Sequence, residues 1–105
     1  MAQQPETDFD YGVATETEKK VEKPKLYKVI LHNDDYTTME FVVQVLQAVF
    51  HKALAEATQI MLHVHKKGIG VCGVYTYEVA ETKVAQVLGL AKAHEFPLQC
   101  TMEEA

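Results

Sequence analysis

Two rhythms of apolar and polar positions follow one another along this chain. Leu26 to Leu31 (Leu-Tyr-Lys-Val-Ile-Leu) is a short, β-forming run that predicts strand one, stopped by the turn His32-Asn33-Asp34-Asp35. The period then lengthens. Met39, Val42, Val43, Leu46, Val49 and Phe50 fall at i, i+3, i+4, i+7, i+10 and i+11, one stripe of a helix with Gln44 and Gln47 opposite. Thr37-Thr38-Met39-Glu40 has the S/T-x-x-E spacing of a capping box, which starts that helix with Thr37 as the cap. The helix ends near His51-Lys52 with no glycine to stop it and no good cap to open the next. Helix two carries Leu54, Ala57, Ile60, Met61, Val64 and His65 along one face and is closed by Gly68 and Gly70. Val71 to Thr76 predicts strand two, with Gly73 a point of close backbone approach. Helix three starts from a Thr76 cap and runs to about Glu95, with Ala80, Val84, Val87, Leu88 and Ala91 inward. Pro97 opens strand three, Leu98 to Met102, at the one strand position that tolerates proline. The order β-α-α-β-α-β predicts an α+β fold, a small two-layer sandwich with a three-stranded antiparallel sheet packed on three helices.

Residues 1 to 24 lack either rhythm. They are polar, charged with both signs, and carry few large apolar groups (Phe9, Tyr11, Val21), so they cannot offset their own ordering entropy. A disordered tail is expected there and one folded domain over residues 25 to 105. Charge then removes a class of partners. The chain has a net charge of -5, no arginine and no long lysine cluster, which argues against a phosphate backbone as ligand. The 2 cysteines, Cys72 and Cys100, lie in strand-like runs without metal spacing and are expected as buried reduced thiols. No apolar run reaches the roughly 20 residues of a membrane span, and the acidic start has neither a signal-peptide nor a transit-peptide plan. The expectation is a soluble, cytoplasmic protein with no membrane association.

The chemistry concentrates at the turn into helix one. A plain turn needs one Asn or Asp, whereas Asn33, Asp34 and Asp35 stand together beside apolar side chains. Clustered acceptors suit a cation, because an ammonium is all donor and an ionised carboxylate all acceptor. If helices one and two pack antiparallel, the end of helix two returns to the start of helix one and His65 faces this loop. Met39, Val42, Met61 and Val64 would then wall a hydrophobic socket, or would simply be core residues at helical spacing. Catalysis is disfavoured: the chain has no serine, the cysteines are remote and no third group orients His65 as a base. His63 and His65 lie roughly 200° apart around a helix and cannot share a metal as an i, i+4 pair would. No cofactor or metal is expected.

These residues resemble a known family. Tyr27-Lys28-Val29-Ile30-Leu31, then Asn33-Asp34-Asp35-Tyr36-Thr37 and Met39-Glu40-Phe41-Val42, are similar to the opening of the ClpS adaptors, which bring N-end-rule substrates to the ClpA unfoldase of the ClpAP protease. Ala57 to Leu62, Val64-His65, Cys72-Gly73-Val74, Glu78 to Val84 and Pro97-Leu98 agree in order, so the resemblance covers nearly all of residues 24 to 105. It implies that Asn33, Asp34 and His65 bind a substrate's α-amino group, and that Asp35, Thr37, Met39, Val42, Met61, Val64 and Leu98 surround its first side chain. It also implies that Tyr36, Glu78, Thr82 and Lys83 face the N-terminal domain of a ClpA-type unfoldase, with the adaptor itself monomeric. One departure concerns the loop: the family usually has proline where this chain has Thr38, and proline there would fit the first helical turn and stiffen the loop.

On that resemblance the site reads a free ammonium and a large apolar side chain (Phe, Leu, Tyr or Trp) together, with His65 a neutral acceptor. A β-branched first residue should collide near the entrance. Deleting residues 1 to 20 should leave peptide binding intact and impair handover to the protease. Two other readings stay open: a generic interaction module without a terminus-reading pocket, and an acid/base enzyme using Asp35 and His65.

Overall fold

The computed structural model describes residues 23–105, so the expected tail falls outside the described residues up to residue 22. Six elements follow in the expected order: β1 (Leu26–His32), α1 (Met39–Ala48), α2 (Leu54–Lys67), β2 (Ile69–Thr76), α3 (Tyr77–Ala93) and β3 (Gln99–Glu104). The sheet is antiparallel with order β2-β1-β3. β1 is central because it is the most apolar strand, with Val29, Ile30 and Leu31 all buried. Val29 and Leu31, with Cys72 and Cys100 from the flanking strands, meet the three helices in one core, and Lys28 and His32 point to the open face. The result is the two-layer α+β sandwich.

The buried arc of α1 is broader than one stripe. Phe41 and Val45 join Val42, Leu46, Val49 and Phe50 inside, because α1 is enclosed by α2 and by the end of α3, where Phe41 packs on His94 and Phe96 at ring-centroid distances of 5.1 and 4.8 Å. Three expected inward residues lie outside. Met39 is 45% exposed, Leu54 62% and Leu88 39%, since the apolar pattern at these positions runs past the surface that the core covers.

Tertiary contacts end α1, which has no stop signal of its own. His51 takes a left-handed φ of 56°, the Lys52 N–H reaches back to the Leu46 carbonyl (3.1 Å), and the Lys83 ammonium donates to the Val49 carbonyl at 2.6 Å. Gly68 closes α2 with φ 92°, its N–H on the Val64 carbonyl. Gly70 has a different role: it lies within β2 opposite Leu31, and a Cβ there would stand 2.6 Å from Val64 Cγ2. Gly73 is approached by a side chain and not by backbone, for the Tyr75 ring occupies the place of its missing Cβ, beside a bulge in the β1–β2 register. The end of α3 is a Schellman turn, with Phe96 N–H on the Ala91 carbonyl (2.8 Å) and Glu95 N–H on that of Lys92 (3.1 Å). Glu95 holds the left-handed position at φ 60°. This turn sends the chain through Pro97 so that Leu98, 3% exposed, enters the core beside the site.

Candidate functional site

The loop between β1 and α1 is shaped by its own side chains. Asp34 Oδ1 accepts from the backbone N–H groups of Tyr36 (2.8 Å) and Thr37 (2.7 Å), and Oδ2 accepts from the Thr37 hydroxyl (2.7 Å). Burial pushes the Asp34 carboxyl up, but the bonds from the Thr37 backbone, the Thr37 hydroxyl and the Tyr36 backbone outweigh it and hold the group below its ordinary value. It is an ionised acceptor at neutral pH. With its hydroxyl on Asp34, Thr37 does not cap the helix. Thr38 does: its Oγ1 accepts the Phe41 N–H at 3.1 Å. This corrects the expected cap by one residue. Two adjacent threonines offered the same kind of oxygen, and Asp34 held the first.

The far end of the loop is tied to the helix pair. The Asn33 N–H donates to the Gly68 carbonyl at 2.8 Å, which joins the exit of β1 to the C-terminal end of α2. His65 is one turn before that end, and the antiparallel course of α1 and α2 brings Met39 and Val42 opposite Met61 and Val64. A cavity of about 290 Å³ opens between loop and helices. Asn33, Asp34 and His65 line it together with Asp35, Thr37, Met39, Val42, Met61, Val64 and Leu98. Every residue that the resemblance assigned to the amino group and to the first side chain therefore lines one cavity. Sequence reasoning missed His32, the last residue of β1, which also lines it and whose Nε2 is hydrogen-bonded to Thr101 Oγ1 at 2.8 Å. Its ring lies on the open face of the sheet with Lys28, so it borders the cavity from the strand end, and the turn pattern His32-Asn33-Asp34-Asp35 carried no signal for it.

One pole of this cavity carries an ionised carboxylate, an amide and imidazole nitrogens, and the other carries two methionines, two valines and a leucine. Its volume is near the low end, about 300 Å³, of small-ligand sites, room for one amino-acid residue. Asp34 has accepted three hydrogen bonds of the roughly four a carboxylate can take, so one acceptor direction and the full negative charge remain. Among the described residues no group of three or more His, Cys, Asp or Glu side chains could hold a metal, and no helix is long and apolar enough to cross a membrane. Both cysteines are free and buried.

The residues assigned to an unfoldase face do not form one cluster. Tyr36, 77% exposed, stands in the loop at the cavity end. Glu78, Thr82 and Lys83 lie in the first turns of α3 at the opposite end of the sheet, where Leu26 pairs with Thr76 and not His32 with Ile69. The Thr82 hydroxyl donates to the Glu78 carbonyl (3.0 Å), and the part-buried Lys83 ammonium is held between Val49 and the Tyr75 ring, 5.8 Å from its centroid.

A small α+β domain with a single-residue cavity, polar at one pole and apolar at the other, is a binding module. Residues 22–101 match the model of the family described as ATP-dependent Clp protease adaptor protein ClpS, and the chain belongs to that family. The ClpS adapter protein of Hyphomonas neptunium is 65% identical over 98 residues, 93% of this chain and 81% of that protein. That of Phenylobacterium zucineum is 58% identical over 108 residues, 99% of each chain. The structure of Agrobacterium tumefaciens ClpS2 bound to L-phenylalaninamide matches with a TM-score of 0.77 and 43% identity, covering 79% of this chain and 100% of that one. The protein is thus a Clp protease adaptor and not an enzyme, and it works with components of that protease and their substrates.

Proposed function

We propose that this adaptor binds the free N-terminal residue of substrates that begin with Phe, Leu, Tyr or Trp and hands them to a ClpA-type unfoldase. The observation that carries this is the two-poled cavity. An α-ammonium donates to Asn33, to the remaining acceptor direction of Asp34 and to His65, while the first side chain enters between Met39, Val42, Met61, Val64 and Leu98, with Asp35 and Thr37 at its rim. L-phenylalaninamide, the ligand of the Agrobacterium relative, has the same two parts, a free α-amino group and a benzyl side chain. An acetylated or internal residue leaves the Asp34 charge unpaired at a cost of about 2 to 5 kcal/mol. Thr38 stands where the family usually has proline: its φ of −73° is one proline shares, and its hydroxyl supplies the cap that proline could not.

The remaining parts of the reading concern the partner. Tyr36 on the loop and Glu78, Thr82 and Lys83 on α3 are proposed contacts to the N-terminal domain of the unfoldase, made by a monomeric adaptor in the cytoplasm. The two separated positions imply a partner that spans the molecule's length or touches it twice. The core test is a titration with fluorescent peptides led by Phe or Leu, the same peptides N-acetylated, and the same peptides with Met in front. Binding by the free Phe and Leu termini alone, abolished by Asp34→Ala, is expected. Equal binding by all three, or by none, replaces the reading with a generic interaction surface.

A further inference from the structure

A second depression adjoins the first. Between α1 and α2, Met39, Val43, Leu54, Thr58 and Met61 enclose a shallow groove of about 430 Å³, with Glu40 and Gln44 at its rim. Met39 and Met61 are walls of both depressions. On α2, Leu54, Thr58, Met61 and His65 follow at i, i+4, i+7 and i+11, so the groove continues the terminus site in a line away from its polar pole. The Thr58 hydroxyl already donates to the Leu54 carbonyl at 2.8 Å, which leaves its methyl group for the groove.

We propose that this groove is a second subsite, which takes an apolar side chain from the third residue of the bound substrate. The inference rests on the terminus reading above. In an extended peptide the first and third side chains point the same way, about 6.6 Å apart, and the second points away. One methionine wall separates the two depressions, and along α2 Thr58 lies about 4.5 Å and Leu54 about 10.5 Å from Met61, which brackets that spacing. A second copy of the chain does not suit the groove, because a stable interface needs roughly 20 to 30 residues a side. The exposure of Leu54 and Met39, unexplained by the core, is explained by an apolar occupant.

The test uses the full chain and three free-terminus peptides that begin Phe-Ala-Ala, Phe-Leu-Ala and Phe-Ala-Leu, each with its acetylated control. Phe-Ala-Leu is expected to bind about fivefold more tightly than the other two, and Leu54→Ser, at an exposed position, to erase that gain while leaving Phe-Ala-Ala affinity unchanged. Equal affinities for the three, with the acetylated controls still rejected, overturn the subsite and leave the terminus reading standing. If no Phe-led peptide binds, both fall. Sedimentation showing a dimer that Leu54→Ser dissociates also overturns it, by assigning the groove to a second copy.

Discussion

Asp34 and Thr37 act as one unit. The hydroxyl and N–H of Thr37 hold both carboxylate oxygens, so Thr37→Val should weaken Phe-peptide binding about tenfold and Thr37→Ser should retain most of it, as read by fluorescence anisotropy. The same bonds depress the carboxyl below its unfolded value of about 3.9, so the stabilisation is complete above that value and lost as pH falls through the lower folded one. The stability gap between the native chain and Asp34→Asn, followed by urea denaturation, should therefore narrow below about pH 4 and be constant near neutrality. Most of the cavity's lining was legible because an Asx-rich turn, two helical stripes and a terminal histidine converge by simple topology, whereas Thr37 and Leu98 came only from the family resemblance. The partners were not. Nothing in the spacing distinguishes a threonine that caps from one that fixes a carboxylate, and His32 at a strand end is indistinguishable from a turn residue.

The ends of the helices show where local sequence yields to tertiary structure. α1 ends without a glycine because Lys83, distant in sequence, supplies the donor that the Val49 carbonyl lacks. Lys83→Met should lower stability by about 1 to 2 kcal/mol in thermal denaturation, so any loss of unfoldase affinity in that variant has to be separated from loss of fold. At the Schellman turn after α3 the left-handed Glu95 is replaceable: Glu95→Gly should raise stability by about 0.5 to 1 kcal/mol in the same assay. Helix periodicity located α1, α2 and α3 but misjudged their depth. Leu54 and Leu88 continue apolar stripes beyond the core, whereas Phe41 and Val45 lie off the α1 stripe and are covered by a second neighbour that periodicity cannot reveal.

Across the whole molecule, sheet and helices are fitted closely enough that a change on one layer reaches the site on the other. A methyl group at Gly70 would displace Val64, a wall of the cavity, so Gly70→Ala should weaken peptide binding several-fold while costing about 1 to 3 kcal/mol of stability. The core also seals both thiols, which burial pushes up to about 12. Neither should react with a thiol reagent at pH 8 until denaturant is added. Their neutral burial stabilises fully below the unfolded value of about 8.5 and less as pH rises above it. The element order was readable because each strand is short and bounded by Gly, Pro or Asx residues while each helix repeats its stripe over several turns.

The hydrogen bond from Asn33 to the Gly68 carbonyl has a consequence in time as well as in space. It joins the two halves of the cavity through the backbone, which predicts that no closing step separates encounter from capture. Stopped-flow traces should be single exponentials whose rate rises linearly with peptide concentration and does not level off. Ligands that differ in their first residue should then share nearly one association rate and differ in how long they stay.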